Sequence, residues 1–370
     1  MYLHSISLVN FRNFETLHLN SMKRINVFIG NNAQGKSNFI EAIYLLGSLR
    51  SFRGSKKEDI IMNGKDYSKM SSHVESRGLL KDLELTLSKA ERSIRVNNNA
   101  VSHLEEYYRE YKVVTFTPDD TMLIKGYPEE RRTFLNRGIV TYNPEYYRIY
   151  RNFSKALDSK RALLKNERSQ KNDILLWNKE LAKYAASIYR ERAAFIRALN
   201  DRICEIYSKI SHTKESCYLT YKPSTSCDIE NTKNLENDLI EELNLKLDEE
   251  IRAEQCLIAP TRDDVGFTLK ELPGKHYASQ GEIKTIVLAL KIAHIEYVYE
   301  KTSEYPIFLL DDVSSELDHD RRSFLMKYLH DKPIQIFLTT TKFDTYLEEL
   351  DRSDYIIYSV DSGVISPYAT

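Results

Sequence analysis

A chain of 370 residues is longer than one average domain, so its length predicts two. With 42% hydrophobic and 29% charged residues it can bury a large core, and nowhere does it approach the roughly eighteen unbroken apolar residues of a membrane span. A formal net charge of −1 argues neither for nor against nucleic acid, so only the distribution of charge bears on that partner.

The N-terminal MYLHSISLVNFRNF has no basic stretch followed by an apolar run, which predicts an unexported, cytoplasmic protein. Leu3, Ile6, Leu8 and Phe11 interleave with polar residues as a half-buried strand, and Ile25 to Ile29 (INVFI), apolar but for Asn26, is a run of buried-strand type. A glycine-rich turn leads into a helix from Asn38 to Leu49, with Phe39, Ile40, Ile43, Leu46 and Leu49 on one stripe. Residues from about Lys69 to Val96 alternate as antiparallel strands, and Ser102 with Glu105 has capping-box spacing for a short helix. From Pro128 to His212 the periodicity is helical. The Lys171–His212 stretch lacks both glycine and proline and would extend roughly 60 Å unbroken. Between Tyr146 and Lys214 there are 16 Lys/Arg against 7 Asp/Glu, whereas Glu230 to Glu254 is acidic. These segments can be two solvated, mutually attracting helices or a nucleic-acid face. After Cys256 strand and helix alternate again: Ser279 to Tyr299 is a long helix, and YPIFLL (Tyr305 to Leu310) and IQIFLTT (Ile334 to Thr340) read as buried parallel strands. The four cysteines (Cys204, Cys217, Cys227, Cys256) form no CxxC pair and the histidines no HExxH, so reduced thiols are expected and a structural metal is not.

Three motifs carry chemistry. Gly30-Asn31-Asn32-Ala33-Gln34-Gly35-Lys36-Ser37 fits G-x-x-x-x-G-K-[ST] between a buried strand and a helix, the context that the motif requires. Its glycines let backbone N–H groups converge on a phosphate at a helix N-terminus, Lys36 would reach the β- and γ-phosphates, and the Ser37 hydroxyl would ligate Mg²⁺. FLLDDVSSELD (Phe308 to Asp318) is an apolar strand ending in two acids, where Asp311 can hold Mg²⁺ and Asp312 can orient or deprotonate the attacking water. Roughly 270 residues separate the two motifs, enough to demand an inserted domain. SQGEIKT (Ser279 to Thr285) opens the long helix. Ser279 and Glu282 have capping-box spacing, and the same turn can bind a second phosphate, with Gly281 allowing close backbone approach.

In this order and with this gap, the motifs resemble the ABC/SMC-type ATPase head, an α/β fold. The similarity is closest to the RecF family. It runs nearly end to end through IYLLGSLRSFR (Ile43 to Arg53), PDDTMLIKGYPEERRTFLN (Pro118 to Asn136), APTRDD (Ala259 to Asp264), SQGEIKTIVLALKIA (Ser279 to Ala293) and LLDDVSSELD (Leu309 to Asp318). The resemblance implies a head built from residues 1–120 and 256–370, with a mainly helical arm inserted over 121–255. It implies an ATP-dependent homodimer that clamps duplex or single/double-strand junction DNA, hydrolyses ATP slowly, and works with RecR and RecO to load RecA at gaps. By position, Gly30 to Asn38 bind ATP, Ser37 and Asp311 serve Mg²⁺, and Asp312 with Lys36 is catalytic. Ser279, Gln280 and Gly281 act across the dimer, Asp318 touches the partner subunit, and Arg12 and Asn13 lie where SMC-like heads contact nucleotide. The chain departs from relatives in several places. SQGE stands where transporters have SGGQ, Asp312 replaces a glutamate, and TTT (Thr339 to Thr341, Thr340 closest in position) stands for the switch histidine. Tyr127 and Asn136 occupy positions where a small and an acidic residue are expected. Lys56, Lys57 and the Arg131–Arg132 pair are candidate phosphate contacts or solvated surface charges. A transport ATPase would lack a use for the basic arm, a nuclease would need a further acid cluster, and a structural SMC rod needs far more helix than about 42 residues. An ATP-gated protein-interaction switch without direct DNA binding is the alternative.

Overall fold

The buried Leu3, Ile6, Leu8 and Phe11, with a register shift between Leu3 and Ser5, make β1 (Tyr2–Phe11) the spine of an antiparallel sheet. It pairs with β2 (Phe14–Leu19) through Leu8↔Leu17. The chain then leaves this sheet as β3 (Ile25–Ile29), buried along its whole length. Strands β4 (Tyr67–Ser76), β5 (Leu79–Ser88), β6 (Arg92–Val96) and β7 (Asn99–Ala100) complete the antiparallel sheet in the order β2-β1-β4-β5-β6-β7. Leu3, Ile6, Leu8, Met70, Val74, Leu83 and Leu85 form its buried side. The helix Leu104–Glu110 follows, with His103 as N-cap and no side-chain cap bond, so the capping box expected of Ser102 and Glu105 does not form. Strand β8 (Val113–Phe116) is fully buried. The computed structural model describes residues 1–166, 170–230, 233–312, 316–341 and 353–368.

The chain divides into two compact units, Met1–Thr121 with Ile206–Thr213 and Lys284–Thr370, and Met122–Glu205 with Lys214–Ile283. Helices Pro128–Tyr142, Glu145–Leu164 and, as far as Glu205, Lys171–Ser211 supply most of the second unit; the last runs 41 residues, as its unbroken sequence predicts. The acidic segment forms two helices rather than one, Leu235–Leu245 and Leu247–Ala253. A small sheet β11-β10-β9 joins β9 (Cys217–Lys222), β10 (Asp264–Leu269) and β11 (Leu272–Pro273), which carries this unit past residue 255. At the β9 edge, Asn200 of the long helix donates to the Leu219 carbonyl (2.9 Å) and accepts from the Leu219 N–H (2.7 Å).

Two of the strings that carry the family resemblance meet inside this unit. Arg131 grips Asp264 with two bonds (Nε–Oδ1 2.6 Å, Nη2–Oδ2 3.1 Å), and Arg132 donates to the Asp263 carbonyl at 2.9 Å. Arg131 is buried, so the pair expected as phosphate contacts or solvated charges instead ties helix Pro128–Tyr142 to the start of β10. Deeper still, Arg192 and Asp263 are both fully buried and bonded at 2.6 Å. Arg192 also donates to the Pro260 carbonyl (2.6 Å) and to Asn136 Oδ1 (3.0 Å), while Asp263 accepts from the Tyr221 hydroxyl (2.5 Å) and the Ser224 N–H (2.9 Å). Asn136, where an acid was expected, also accepts from Tyr146 at 2.7 Å; a neutral amide there adds no second charge beside Asp263.

Back in the first unit, β12 (Ile307–Leu310), β13 (Ile336–Thr340), β14 (Tyr355–Asp361) and β15 (Val364–Pro367) assemble with β3 and β8 in the order β15-β14-β3-β13-β12-β8. All pairs are parallel except β14–β15, so the apolar runs read as buried parallel strands form a parallel core. Register sets Leu310 beside Leu338 and Phe116, and Thr340 beside Ile29. The C-terminal ends of β3, β13 and β12 therefore lie side by side, at the edge where open parallel sheets bind ligands.

Candidate functional site

The glycine-rich loop leaves β3 at Gly30 and enters the helix Lys36–Ser48. A Cβ on Gly30 would lie 2.2 Å from the Val360 carbonyl oxygen, so only glycine lets β14 pass this closely. Gly35 sits at φ 115°, a left-handed conformation, with Asn13 packed where a side chain would project. Gln34 ties the loop to the β14–β15 turn: its carbonyl accepts from the Gly363 N–H (3.0 Å) and its side chain from the Ser362 N–H (2.7 Å). Asn31, Asn32 and Ala33 are exposed, Ala33 at φ 65°. Lys36 is buried, with its ammonium donating to the carbonyls of Gly30 and Asn31 at 2.8 Å each, so that the loop closes on its own lysine. Burial lowers the pKa of this amine, and the charges of Asp312 and Asp311 oppose the shift.

Ser37 and Asp311, distant in sequence, meet directly: the Ser37 hydroxyl donates to Asp311 Oδ1 at 2.8 Å. Asp311 is buried, and its N–H donates to the Phe116 carbonyl at 2.9 Å, extending the β12–β8 ladder. Burial raises its carboxyl pKa, with Ser37 and Thr339 pulling the other way. The same Oδ1 accepts a second bond from the Thr339 hydroxyl at 2.8 Å, and that hydroxyl accepts from the Asp312 N–H, also at 2.8 Å. Asp312 is half-buried with φ 53°, so the chain turns sharply out of β12 there. Residues 313–315 of the acidic motif lie outside the described residues.

These residues suit a magnesium nucleotide. Mg²⁺ takes hard oxygen donors, commonly one or two carboxylates or hydroxyls completed by water and phosphate oxygens, and Ser37 with Asp311 offers such a pair. No group of three or more His, Cys, Asp or Glu side chains converges on a metal position among the described residues, so the rest of the coordination would come from phosphate and water.

Arg12 and Asn13 take different parts. Arg12 spans the fully buried Glu41 with two bonds (3.0 and 2.9 Å) and donates to the Asp59 carbonyl at 2.7 Å. Asn13 accepts from Asn38 (2.8 Å) and donates to the Gln34 carbonyl (3.2 Å), so it holds the loop from outside. Arg53 donates to Asn38 at 2.9 Å. Lys56 is exposed and Lys57 half-buried, at the start of the short helix Lys57–Ile60.

Ser279 and Gln280 are exposed and Gly281 half-buried, and all three belong to the second unit. Both halves of the capping box form: Ser279 N–H to Glu282 at 2.8 Å, and Glu282 N–H to Ser279 Oγ at 3.3 Å. Lys270, bonded to Glu282 at 2.8 Å, and the Ser279 N–H hold that carboxyl down at about 2. Further along the helix Gln280–Thr302, Thr285 accepts from Arg321 Nε at 2.6 Å, and Lys291 bonds Asp120 at 2.6 Å. Asp318 caps helix His319–His330 by accepting from the Arg321 N–H at 3.0 Å. Arg321 thus links the Asp318 turn to Thr285 within the first unit.

Sequence reasoning missed Thr339. Within the TTT string Thr340 is the residue closest in position to a switch histidine, and the spacing assigns Thr339 no role. Side chains alternate across a strand, and the Thr339 hydroxyl is on the acids, donating to Asp311 and accepting from the Asp312 N–H.

Comparison with known proteins bears on the family and the fold. The family described as RecF/RecN/SMC N terminal domain matches residues 2–366. A DNA replication and repair protein RecF from Geotalea daltonii is 34% identical over 366 residues, covering 99% of this chain and 100% of the relative. A solved structure described as the recombination mediator protein RecF-ATPrS in the RecFOR pathway superposes with a TM-score of 0.89 at 28% identity, covering 100% of this chain and 98% of that one. The Smc head domain from Pyrococcus furiosus shares the fold, with a TM-score of 0.56 at 16% identity over 99% of this chain and 95% of its own. The chain belongs to the RecF/RecN/SMC N-terminal domain family and stands among its RecF members.

Proposed function

We propose that this chain is an ATP-controlled DNA-binding protein of recombinational repair and replication restart, in which ATP closes a homodimer on duplex or single/double-strand junction DNA and slow hydrolysis releases it. The observation that carries the reading is the Ser37–Asp311 bond at the mouth of a lysine-filled phosphate loop. It joins the two ends of the chain into one site, with the donor types that a magnesium nucleotide needs.

On binding, Lys36 exchanges the carbonyls of Gly30 and Asn31 for β- and γ-phosphate oxygens, while the loop N–H groups from Asn31 to Asn38 face the phosphates. Ser37 keeps its proton on Asp311 and turns a lone pair to the metal. Ser37 and Asp311 would hold Mg²⁺, which when bound would supply positive charge against the charge that grows on the phosphates. Asp312 orients the attacking water and accepts its proton; a short aspartate suits slow turnover. Ser279, Gln280 and Gly281 of one copy close on the nucleotide held by the other, and Asp318 lies against the partner subunit. Work comes from the difference in DNA affinity between the open and closed states rather than from chemistry on DNA. RecR and RecO are the proposed partners, with RecA as the protein loaded.

The test is fluorescence anisotropy of a labelled single/double-strand junction at fixed salt, with and without Mg-ATP. Tighter binding with ATP, lost in Lys36→Met, supports the clamp. Equal or absent binding in both states removes DNA as the direct ligand and leaves an ATP-gated protein switch.

A further inference from the structure

Strand order gives one residue of the TTT string a place in the site. β13 lies between β3, which delivers the phosphate loop, and β12, which delivers the acids. The residue at its C-terminal end that faces the acids is Thr339, fully buried. Its hydroxyl is used twice: it donates to Asp311 Oδ1, the oxygen that also receives Ser37, and it accepts from the Asp312 N–H. We propose that Thr339 is a positioning residue for nucleotide hydrolysis, fixing through one hydroxyl both the metal-side carboxylate of Asp311 and the turned backbone of Asp312.

This role rests on the ATPase reading above. A carboxylate with two donors on one oxygen has that oxygen's orientation set before any metal arrives, so its other oxygen is the one presented to the metal or its waters. Asp312 is held at φ 53°, a conformation that non-glycine residues adopt at a cost, and the bond from its N–H to Thr339 holds it there. Threonine is suited to the task because β-branching restricts χ1, so the hydroxyl has few directions to choose from on a buried strand. Valine has the same shape without the oxygen. Serine keeps the oxygen without the methyl.

The experiment uses the full chain and three readouts: affinity for a fluorescent ATP analogue without Mg²⁺, the gain in that affinity on adding Mg²⁺, and single-turnover hydrolysis of ATP. Thr339→Val is expected to leave Mg²⁺-free affinity within about twofold, to shrink the Mg²⁺-dependent gain, and to slow hydrolysis about tenfold, equivalent to roughly 1.4 kcal/mol. Thr339→Ser should restore both the gain and most of the rate. Wild-type behaviour in Thr339→Val overturns the role. So does equal loss of Mg²⁺-free affinity in the valine and serine variants, which would mark a packing position. If the wild-type chain shows no Mg²⁺-dependent gain, the ATPase reading falls and the role of Thr339 falls with it. If the wild type shows the gain and Thr339→Val retains it, only the role of Thr339 falls.

Discussion

Replacing Arg192 by methionine removes the cation from a fully buried ion pair while leaving a side chain that fills most of its stem. Asp263 would keep only Tyr221 and Ser224 as partners, and Pro260 and Asn136 would each lose a donor. Removing one partner of a buried pair costs about 3–5 kcal/mol, because the remaining charge is uncompensated. Taking about 4 kcal/mol and a urea slope of about 2.5 kcal/mol/M, the midpoint should fall by roughly 1.6 M. The single tryptophan, Trp177, lies in the second unit, so its fluorescence reports on the unfolding of that unit. The pH dependence gives a second check. Burial raises the pKa of Asp263 above the ordinary carboxylate value even with Arg192 present, and loss of Arg192 raises it further. A carboxyl whose pKa is higher folded than unfolded destabilises the fold above the folded pKa, and the penalty fades as pH falls through that value. The deficit of Arg192→Met should therefore be larger at pH 7 than at pH 5, since it shrinks as the pH is lowered. Adding Asp263→Asn should recover much of it at pH 7. A deficit under about 1 kcal/mol, or one equal at both pH values, would refute the idea that an unpaired buried charge is the cause.

Four further outcomes are expected. Asp312→Asn should bind nucleotide and stay dimeric while hydrolysis falls by about 100-fold or more in a phosphate-release assay; a wild-type rate would remove Asp312 as the base. Ser279→Arg should bind nucleotide as a monomer yet fail to dimerise with ATP in light scattering, and retained dimerisation would return Ser279 to a helix cap. Glu304 bonds the buried Lys112 at 2.9 Å. Burial pushes its pKa up, but Lys112 and the Arg77 N–H outweigh that and hold it at about 2. That depression contributes at most roughly 3 kcal/mol at neutral pH, partly offset by the lowered pKa of Lys112, and is lost as pH falls from the ordinary value of about 4.3 toward 2. Glu304→Gln should therefore unfold more easily than wild type at pH 7, and a gap in urea midpoint that does not narrow between pH 4.5 and 3 would count against this. Gly30→Ala, which sets a methyl 2.2 Å from the Val360 carbonyl oxygen, should lower the melting temperature and weaken nucleotide binding together. Unchanged values of both would mean that β14 can yield.

Local patterns carried the parts of the site in which chemistry and chain geometry coincide. The phosphate loop was legible because strand, glycines, lysine, serine and helix are contiguous, and the apolar runs foretold the parallel core. The paired acids could be read as a site only in the company of that loop, since acids at a strand end serve equally as helix caps. What stayed hidden depends on long-range pairing. No periodicity reveals that β13 enters the sheet between β3 and β12, so the placing of the Thr339 hydroxyl on the acids is not legible in the sequence. Arg131 and Arg132 looked like surface cations because their acceptors, Asp264 and the Asp263 carbonyl, lie more than a hundred residues away. Ser102 with Glu105 failed in the opposite sense: the spacing was right, but the helix began at Leu104 with His103 as its cap.

The amide of Asn200 bears on solubility as well as on packing. An open strand edge with alternating β-formers, as in Tyr218, Leu219, Thr220 and Tyr221, is a template on which another extended segment could hydrogen-bond. By giving both Leu219 backbone groups a side-chain partner, the long helix occupies the middle of that edge and removes its offer to strangers. A leucine at position 200 would keep the apolar packing yet reopen the edge, and the first symptom would be self-association at high protein concentration rather than a lower melting temperature.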